Sequence, residues 1–331
     1  MPWDEPLGRA MRLVEQTFTA GWSVGEVAYG LRHPLHLVHD PYRERVLGEL
    51  QEKGLYQEFA GEERRLHARE DGLIVAPNPY VRIGRGPQDK IVAQLKHPQR
   101  PRARRLLVVC HCYGLPIPAL MERLFGLGDL DGYDVVYNIM NHHYLGSFTA
   151  WPGFGFMSIQ VSQMIENLRS AFVGLRSLAR SLQATYGYER VSLLGYSIGG
   201  QLSLHVANCL PLDRLLLYCP VISLRQTVEQ LGLMPWMGDW VKAAMRRTRG
   251  DFRLEDLDAL DPLQHTLKLD PARALLIAQT LDAMVDVSQV SLLRARYPTL
   301  PVLEAPGTHV WPAHLAAFHR ALRQRLLDPA P

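Results

Sequence analysis

Short apolar runs alternate with amphipathic helical segments along most of this 331-residue chain, and that alternation restricts its fold more than any other feature. The runs at 106–110 (Leu-Leu-Val-Val-Cys), 134–137, 191–194, 215–218, 275–278 and 302–303 lack the every-other-residue polar pattern of a half-exposed strand, so they predict strands buried on both faces. Two further runs, 73–76 and 91–95, precede them. Between them lie helical spans at 118–125 and 200–208 and a longer one in which Val161, Ile165, Leu168, Phe172, Leu175 and Leu182 recur at steps of three, four or seven. Leu315, Phe318, Leu322 and Leu326 repeat the pattern near the end. Strands and helices in this order predict an α/β fold, a mostly parallel central sheet flanked by helices, whose chemistry sits beyond the carboxyl ends of the strands.

Two segments depart from the alternation. Residues 1–70 predict a helical N-terminal extension, with helices at 7–19, 23–31 and 42–53 and breaks at Pro34 and Pro41. Residues 223–265 predict a small helical lid or cap, or else plain packing helix, rich in Met234, Trp236, Met237, Trp240 and Met245 and inserted between two strands at the working end of the sheet. The core is therefore expected in two parts, 71–222 and 266–331. An apolar lid favours an apolar small-molecule substrate over a sugar or a highly charged one.

Charge excludes several partners. Lys and Arg number 36 against 33 Asp and Glu, a net charge of +3, too small an excess to suggest a nucleic-acid or membrane-surface partner. The cluster Arg100, Arg102, Arg104 and Arg105 precedes an apolar strand and reads as a charged loop. No run approaches the roughly 18 apolar residues of a spanning helix. Asp4, Glu5, Arg9, Arg12 and Glu15 occupy the stretch where a signal peptide keeps its apolar region, so a soluble cytoplasmic protein is expected. The four cysteines, Cys110, Cys112, Cys209 and Cys219, lie in or beside apolar segments and read as reduced thiols. Cys110 and Cys112 have no second pair at ligand spacing, so they read as packing residues and not as half a metal site. Oligomeric state is not legible.

Two pentapeptides fit Gly-x-Ser-x-Gly. Ser23 (Gly21 to Gly25) has no strand before it and has Glu26 three residues on, which reads as a capping box. Ser197 (Gly195-Tyr196-Ser197-Ile198-Gly199) follows an apolar strand and precedes a helix, the strand–turn–helix that holds a serine hydroxyl above the sheet. A serine hydroxyl needs a base to take its proton and a third group to orient that base. Asp282 lies on the loop leaving the run at 274–279, and His309 on the loop leaving 302–303. Asp286 competes with Asp282, but Gln289 follows it by three and a helix begins there, which reads as a cap. His314 and His319 fall within the C-terminal helical pattern. An oxyanion needs amide donors as well. Ile198, directly after the serine, supplies one, and the turn His111-Cys112-Tyr113-Gly114 supplies the other through Tyr113.

This constellation resembles the α/β-hydrolase superfamily over about residues 72–328. The resemblance implies a serine hydrolase acting on carboxylic esters with no cofactor, with Ser197 as nucleophile, Asp282 as acid and His309 as base. Cys112 stands where these proteins commonly have glycine. The segment from Asn138 to Gly155 is similar to a sparsely characterised branch of α/β-hydrolase-domain proteins, whose strand ends in a histidine-containing turn that carries an arginine; here the turn has His142 and His143 and no arginine. His111, Cys112, Tyr196, His142 and His143 are therefore candidates to line the pocket, with hydrogen-bonded structural histidines the alternative reading of His142 and His143. A metal site built from His111, His142 and His143 lacks supporting carboxylate or cysteine spacing, so no metal is expected. A thioesterase, peptidase or acyltransferase would use the same triad, and a catalytically silent binding protein is the rival from another class.

Overall fold

The computed structural model describes residues 40, 42–83, 89–100, 102–114, 117–128, 130–143, 153, 156–157, 161–233, 254–312 and 315–327. The helices expected at 7–19 and 23–31, Ser23, the Met and Trp residues from 234 to 245, and His314 lie outside them.

In chain order the elements are α1 (Arg43–Lys53), β1 (Leu73–Pro77), β2 (Lys90–Leu95), β3 (Arg105–Cys110), α2 (Pro118–Phe125), β4 (Tyr133–Ile139), α3 (Val161–Tyr186), β5 (Arg190–Tyr196), α4 (Ile198–Cys209), β6 (Arg214–Tyr218), α5 (Leu224–Leu233), β7 (Ala274–Gln279), α6 (Ser288–Arg296), β8 (Val302–Ala305) and α7 (Leu315–Leu327). Three short 3₁₀ turns at Leu254–Leu260, Pro262–Gln264 and Pro271–Arg273 precede β7.

The eight strands form one sheet in the order β1-β2-β4-β3-β5-β6-β7-β8. β2 runs antiparallel to both of its neighbours, and every other pairing is parallel. Every-other-residue alternation divides each central strand between two apolar layers. On β3, Leu106, Val108 and Cys110 face one layer with Ile165, Leu168 and Phe172 of α3 and Leu202 and Val206 of α4. Leu107 and Val109 face the other, with Met121 and Phe125 of α2 and Phe318, Leu322 and Leu326 of α7. Both faces are therefore covered, which is why the strands read as unbroken apolar runs.

The chain leaves β3 for β4 on one side and resumes at β5 on the other, so strand order reverses between β3 and β5. In open parallel sheets ligands bind at such a reversal, beyond the carboxyl ends of the strands. The strand before the Gly-x-Ser-x-Gly turn is longer than its apolar run predicts. It extends through Gly195 and Tyr196, because both pair with β6, at Leu217 and Tyr218.

The described part of the N-terminal extension is built into the core. Val46 and Leu50 of α1 share the α3 layer. Beyond α1, residues 54–68 run along the outer side of α3, which explains why polar residues on that side are buried. Arg176 and Glu62 are 1% and 2% exposed and joined by a 2.7 Å bond from Nε to Oε2, while Arg176 Nη2 and Nη1 also donate to the carbonyls of Gln57 and Tyr56. Leu66 N donates to Thr185 Oγ1, and Ala68 N to Tyr186 Oη. Glu62→Ala would leave the Arg176 charge buried without its counter-ion. We expect a loss of about 3–5 kcal/mol in urea unfolding. Arg180→Ala, on a half-exposed neighbour of Glu62, should cost well under half as much.

The stretch expected as a lid begins with α5 and ends in the 3₁₀ turns. Its described ends are tied together by Arg225, which donates to Asp258 Oδ2 at 3.0 Å, and Leu257 and Leu260 belong to the core beneath α4.

Candidate active site

The sharp turn after β5 arises because three glycines admit backbone where any side chain would collide. A Cβ at Gly195 would overlap Gly199 O and Ser203 Oγ, one at Gly199 would overlap the carbonyl oxygens of Cys110 and His111, and one at Gly200 would overlap Pro220. The helix thus begins in contact with the ends of β3 and β6. Ser197 has φ 56° and ψ −120°, a strained conformation for a residue with a Cβ. The strain is held by the backbone: Ser197 N donates to Tyr218 O at 3.0 Å, and Ser197 O accepts from Gly200 N at 2.9 Å and Val221 N at 3.0 Å. Ile198 opens α4, so its amide has no carbonyl a turn behind it to bond within the helix.

The loops after β7 and β8 come together on the same rim. His309 Nδ1 lies 2.7 Å from Asp282 Oδ2, with both side chains 2–3% exposed. The other carboxylate oxygen, Oδ1, accepts from the amides of Met284 and Val285 at 2.8 Å each, which fixes the plane of the acid. An acid aligned in this way holds the Nδ1–H tautomer of the imidazole and leaves Nε2 the basic nitrogen. The loops are themselves cross-linked, Thr280 N to Ala305 O at 3.0 Å and Leu281 N to Gly307 O at 2.9 Å. Asp286 is engaged elsewhere: its Oδ1 accepts from Ser288 N at 2.7 Å, at the start of α6.

The Cys219 thiol joins this pair. Its sulfur, an Asp282 carboxylate oxygen and a His309 ring nitrogen all lie within 4.8 Å of one another, the one such His/Cys/Asp/Glu group among the described residues. Its donor set would suit zinc, but the Asp282 bond already occupies His309 Nδ1. Nothing in its spacing marked Cys219, which lies at the end of β6 with φ 42°.

On the opposite side of the sharp turn at Ser197, His111 clamps the turn after β3. Met140 N donates to its Nε2 at 3.1 Å, so the proton is on Nδ1, which donates to Cys112 O at 2.5 Å. Both nitrogens are therefore used, leaving no lone pair for a metal. Burial pushes this imidazole down to about 4, keeping it neutral near pH 7. In a trans peptide the carbonyl of one residue and the amide of the next point in opposite directions. Holding Cys112 O toward His111 therefore aims the Tyr113 amide away from it.

The remaining candidates are buried, apart from the half-buried His142, and are internally engaged to different degrees. His143 donates from Nδ1 to Asn141 O at 2.9 Å and packs between the rings of His111 and Phe156, with burial lowering its titration well below the ordinary histidine range. His142 Nε2 lies 3.2 Å from Asn167 Oδ1 and 3.3 Å from Arg82 Nη2. The turn has no arginine of its own, yet Arg82 reaches it from the segment after β1, held by Asp89. Sequence separation hid that pairing. Cys112 and Tyr196 both lie in the apolar layer shared with α2 and α7.

No protein-family model matches the chain, and no curated protein matches it in sequence. Solved structures do. Acetyl xylan esterase 1 from Thermoanaerobacterium sp. JW/SL YS485 aligns with a TM-score of 0.53 at 15% identity, covering 88% of this chain and 95% of that one. Acetyl xylan esterase from Paenibacillus sp. R4 aligns with a TM-score of 0.54 at 15% identity, covering 86% and 94%. The chain has the α/β-hydrolase fold. At this identity the likeness concerns the arrangement of strands and helices, and among the described residues no helix is long and apolar enough to cross a membrane.

Proposed function

We propose that the chain is a serine hydrolase that cleaves a carboxylic ester of a small, largely apolar molecule through an acyl-enzyme. The observation that carries this reading is the buried 2.7 Å bond between His309 and Asp282 on the rim where the strained Ser197 stands. In the reaction His309 Nε2 takes the Ser197 proton as Oγ attacks the ester carbonyl, and the negative charge moves to the carbonyl oxygen. The amides of Ile198 and Tyr113 are the donors for that oxyanion, each worth on the order of 3 kcal/mol of barrier. The imidazolium returns its proton to the leaving alcohol, and water, deprotonated by the same nitrogen, releases the acid and restores Ser197. Asp282 stays ionised throughout and stabilises the imidazolium.

Two exposed apolar side chains lie near the proposed site residues in sequence and are compatible with an apolar substrate. Trp311 lies two residues beyond the base, and Ile117 heads α2 beyond the Tyr113 turn; they are 54% and 51% exposed. The structural neighbours named as esterases agree with ester cleavage. A series of p-nitrophenyl esters of increasing acyl length tests the reading. Saturable turnover with an optimum at one chain length is expected, and His309→Ala should reduce it by orders of magnitude. Absence of turnover on every ester, or a His309→Ala rate equal to wild type, would contradict it.

A further inference from the structure

Tyr196 immediately precedes the nucleophile, and strand alternation turns its side chain to the face covered by α2 and α7. It is 0% exposed there. Its ring meets those of Phe125 and Tyr218 edge to face, with centroids 6.0 and 5.1 Å away. Phenylalanine would fill that space equally well, so the packing does not explain the hydroxyl. A phenol enclosed in an apolar layer is costly unless its hydroxyl finds a partner. The partner is the backbone carbonyl of His309, to which Tyr196 Oη donates at 2.8 Å across 113 residues of sequence. The Tyr196 ring also lies beside the imidazole, with centroids 5.3 Å apart and planes 37° from parallel.

We propose that Tyr196 is a positioning residue for the base, tying the His309 loop to the strand that presents Ser197. The inference rests on the serine hydrolase reading. Asp282 fixes the rotation of the imidazole from one end, and the hydroxyl of Tyr196 fixes the backbone that carries it. Nucleophile and base are then referenced to one rigid strand, and thermal movement of the β8 loop is not passed into the distance between them. Burial raises the phenol well above its ordinary range, so it is a donor near neutral pH. The ring has a second effect. When His309 accepts the serine proton, the cation that forms lies within reach of the electron-rich face of Tyr196, which favours the protonated form.

Two variants separate these effects. Tyr196→Phe keeps the ring and removes the tether. It should lower kcat by about 10–100-fold with little change in KM, because a base displaced by a fraction of an ångström loses alignment but not substrate binding. The far-downfield proton resonance of the His309 Nδ1–H shared with Asp282 should broaden or vanish in this variant. Tyr196→Leu also removes the ring and should shift the acidic limb of the kcat/KM profile to lower pH, since the imidazolium loses support; Tyr196→Phe should leave that limb in place. A Tyr196→Phe protein with wild-type kcat and an unchanged downfield resonance overturns the proposal. The resonance is read without any substrate. A wild type that hydrolyses no ester therefore removes the hydrolase reading, while the resonance in wild type and Tyr196→Phe still decides whether the tether holds the imidazole.

Discussion

Asp282→Asn should lower kcat for ester hydrolysis by on the order of 10⁴-fold while leaving KM and the fold nearly unchanged. The size follows from which bonds the substitution keeps. Oδ1 of residue 282 accepts two backbone amides, Met284 and Val285, so the amide of an asparagine would be held with its oxygen in that place and its NH₂ toward His309. That NH₂ cannot accept the Nδ1 proton. The imidazole must then carry its proton on Nε2, where it blocks removal of the serine proton. The counterpart Asp286→Asn should leave kcat near the wild-type value, because Asp286 bonds to the start of α6 and to Gln230 and not to His309. Steady-state kinetics on one p-nitrophenyl ester compare the two. Equal effects would mean that the wrong carboxylate has been assigned.

Ser197→Ala should have a still larger effect, about 10⁶-fold in kcat, since no acyl-enzyme can form without the hydroxyl. Stability should hardly change, because alanine keeps the Cβ and thus the strain at φ 56°. Ser197→Gly should be equally inactive yet more stable than Ser197→Ala by about 1 kcal/mol, as glycine adopts positive φ without that cost. Such a pattern, more stable when inactive, is the mark of backbone strain retained for a working side chain.

Much of this site is legible in the sequence because its parts are local. The strand, the small residues and the helix around Ser197 are contiguous. The glycines are necessary for steric reasons that a reader of the sequence can anticipate, although the collision partners, Cys110, His111 and Pro220, come from neighbouring strands. Asp282 and His309 are each readable as a polar residue on a loop leaving a strand, and the helix after Asp286 accounts for that rival carboxylate. Contacts joining distant segments are not legible. Arg176 lies on a helix whose apolar stripe points to the sheet, and its pairing with Glu62 depends on residues 54–68 crossing the outer side of that helix. The reach of Arg82 to His142, the nearness of Cys219 to Asp282 and His309, and the bond from Tyr196 to the His309 backbone have no signal in spacing or periodicity. For Tyr196 the strand pattern predicts which face it occupies, but the structure is needed to find what stands opposite it.

The central claim is that Ser197, and no other serine, is made nucleophilic by His309 and Asp282. Treatment with a fluorophosphonate, followed by intact mass measurement and peptide mapping, tests it most directly. A single adduct on Ser197 is predicted, absent in Ser197→Ala and formed far more slowly in Asp282→Asn. No adduct on the wild type, or an adduct that persists in Ser197→Ala, would contradict the account.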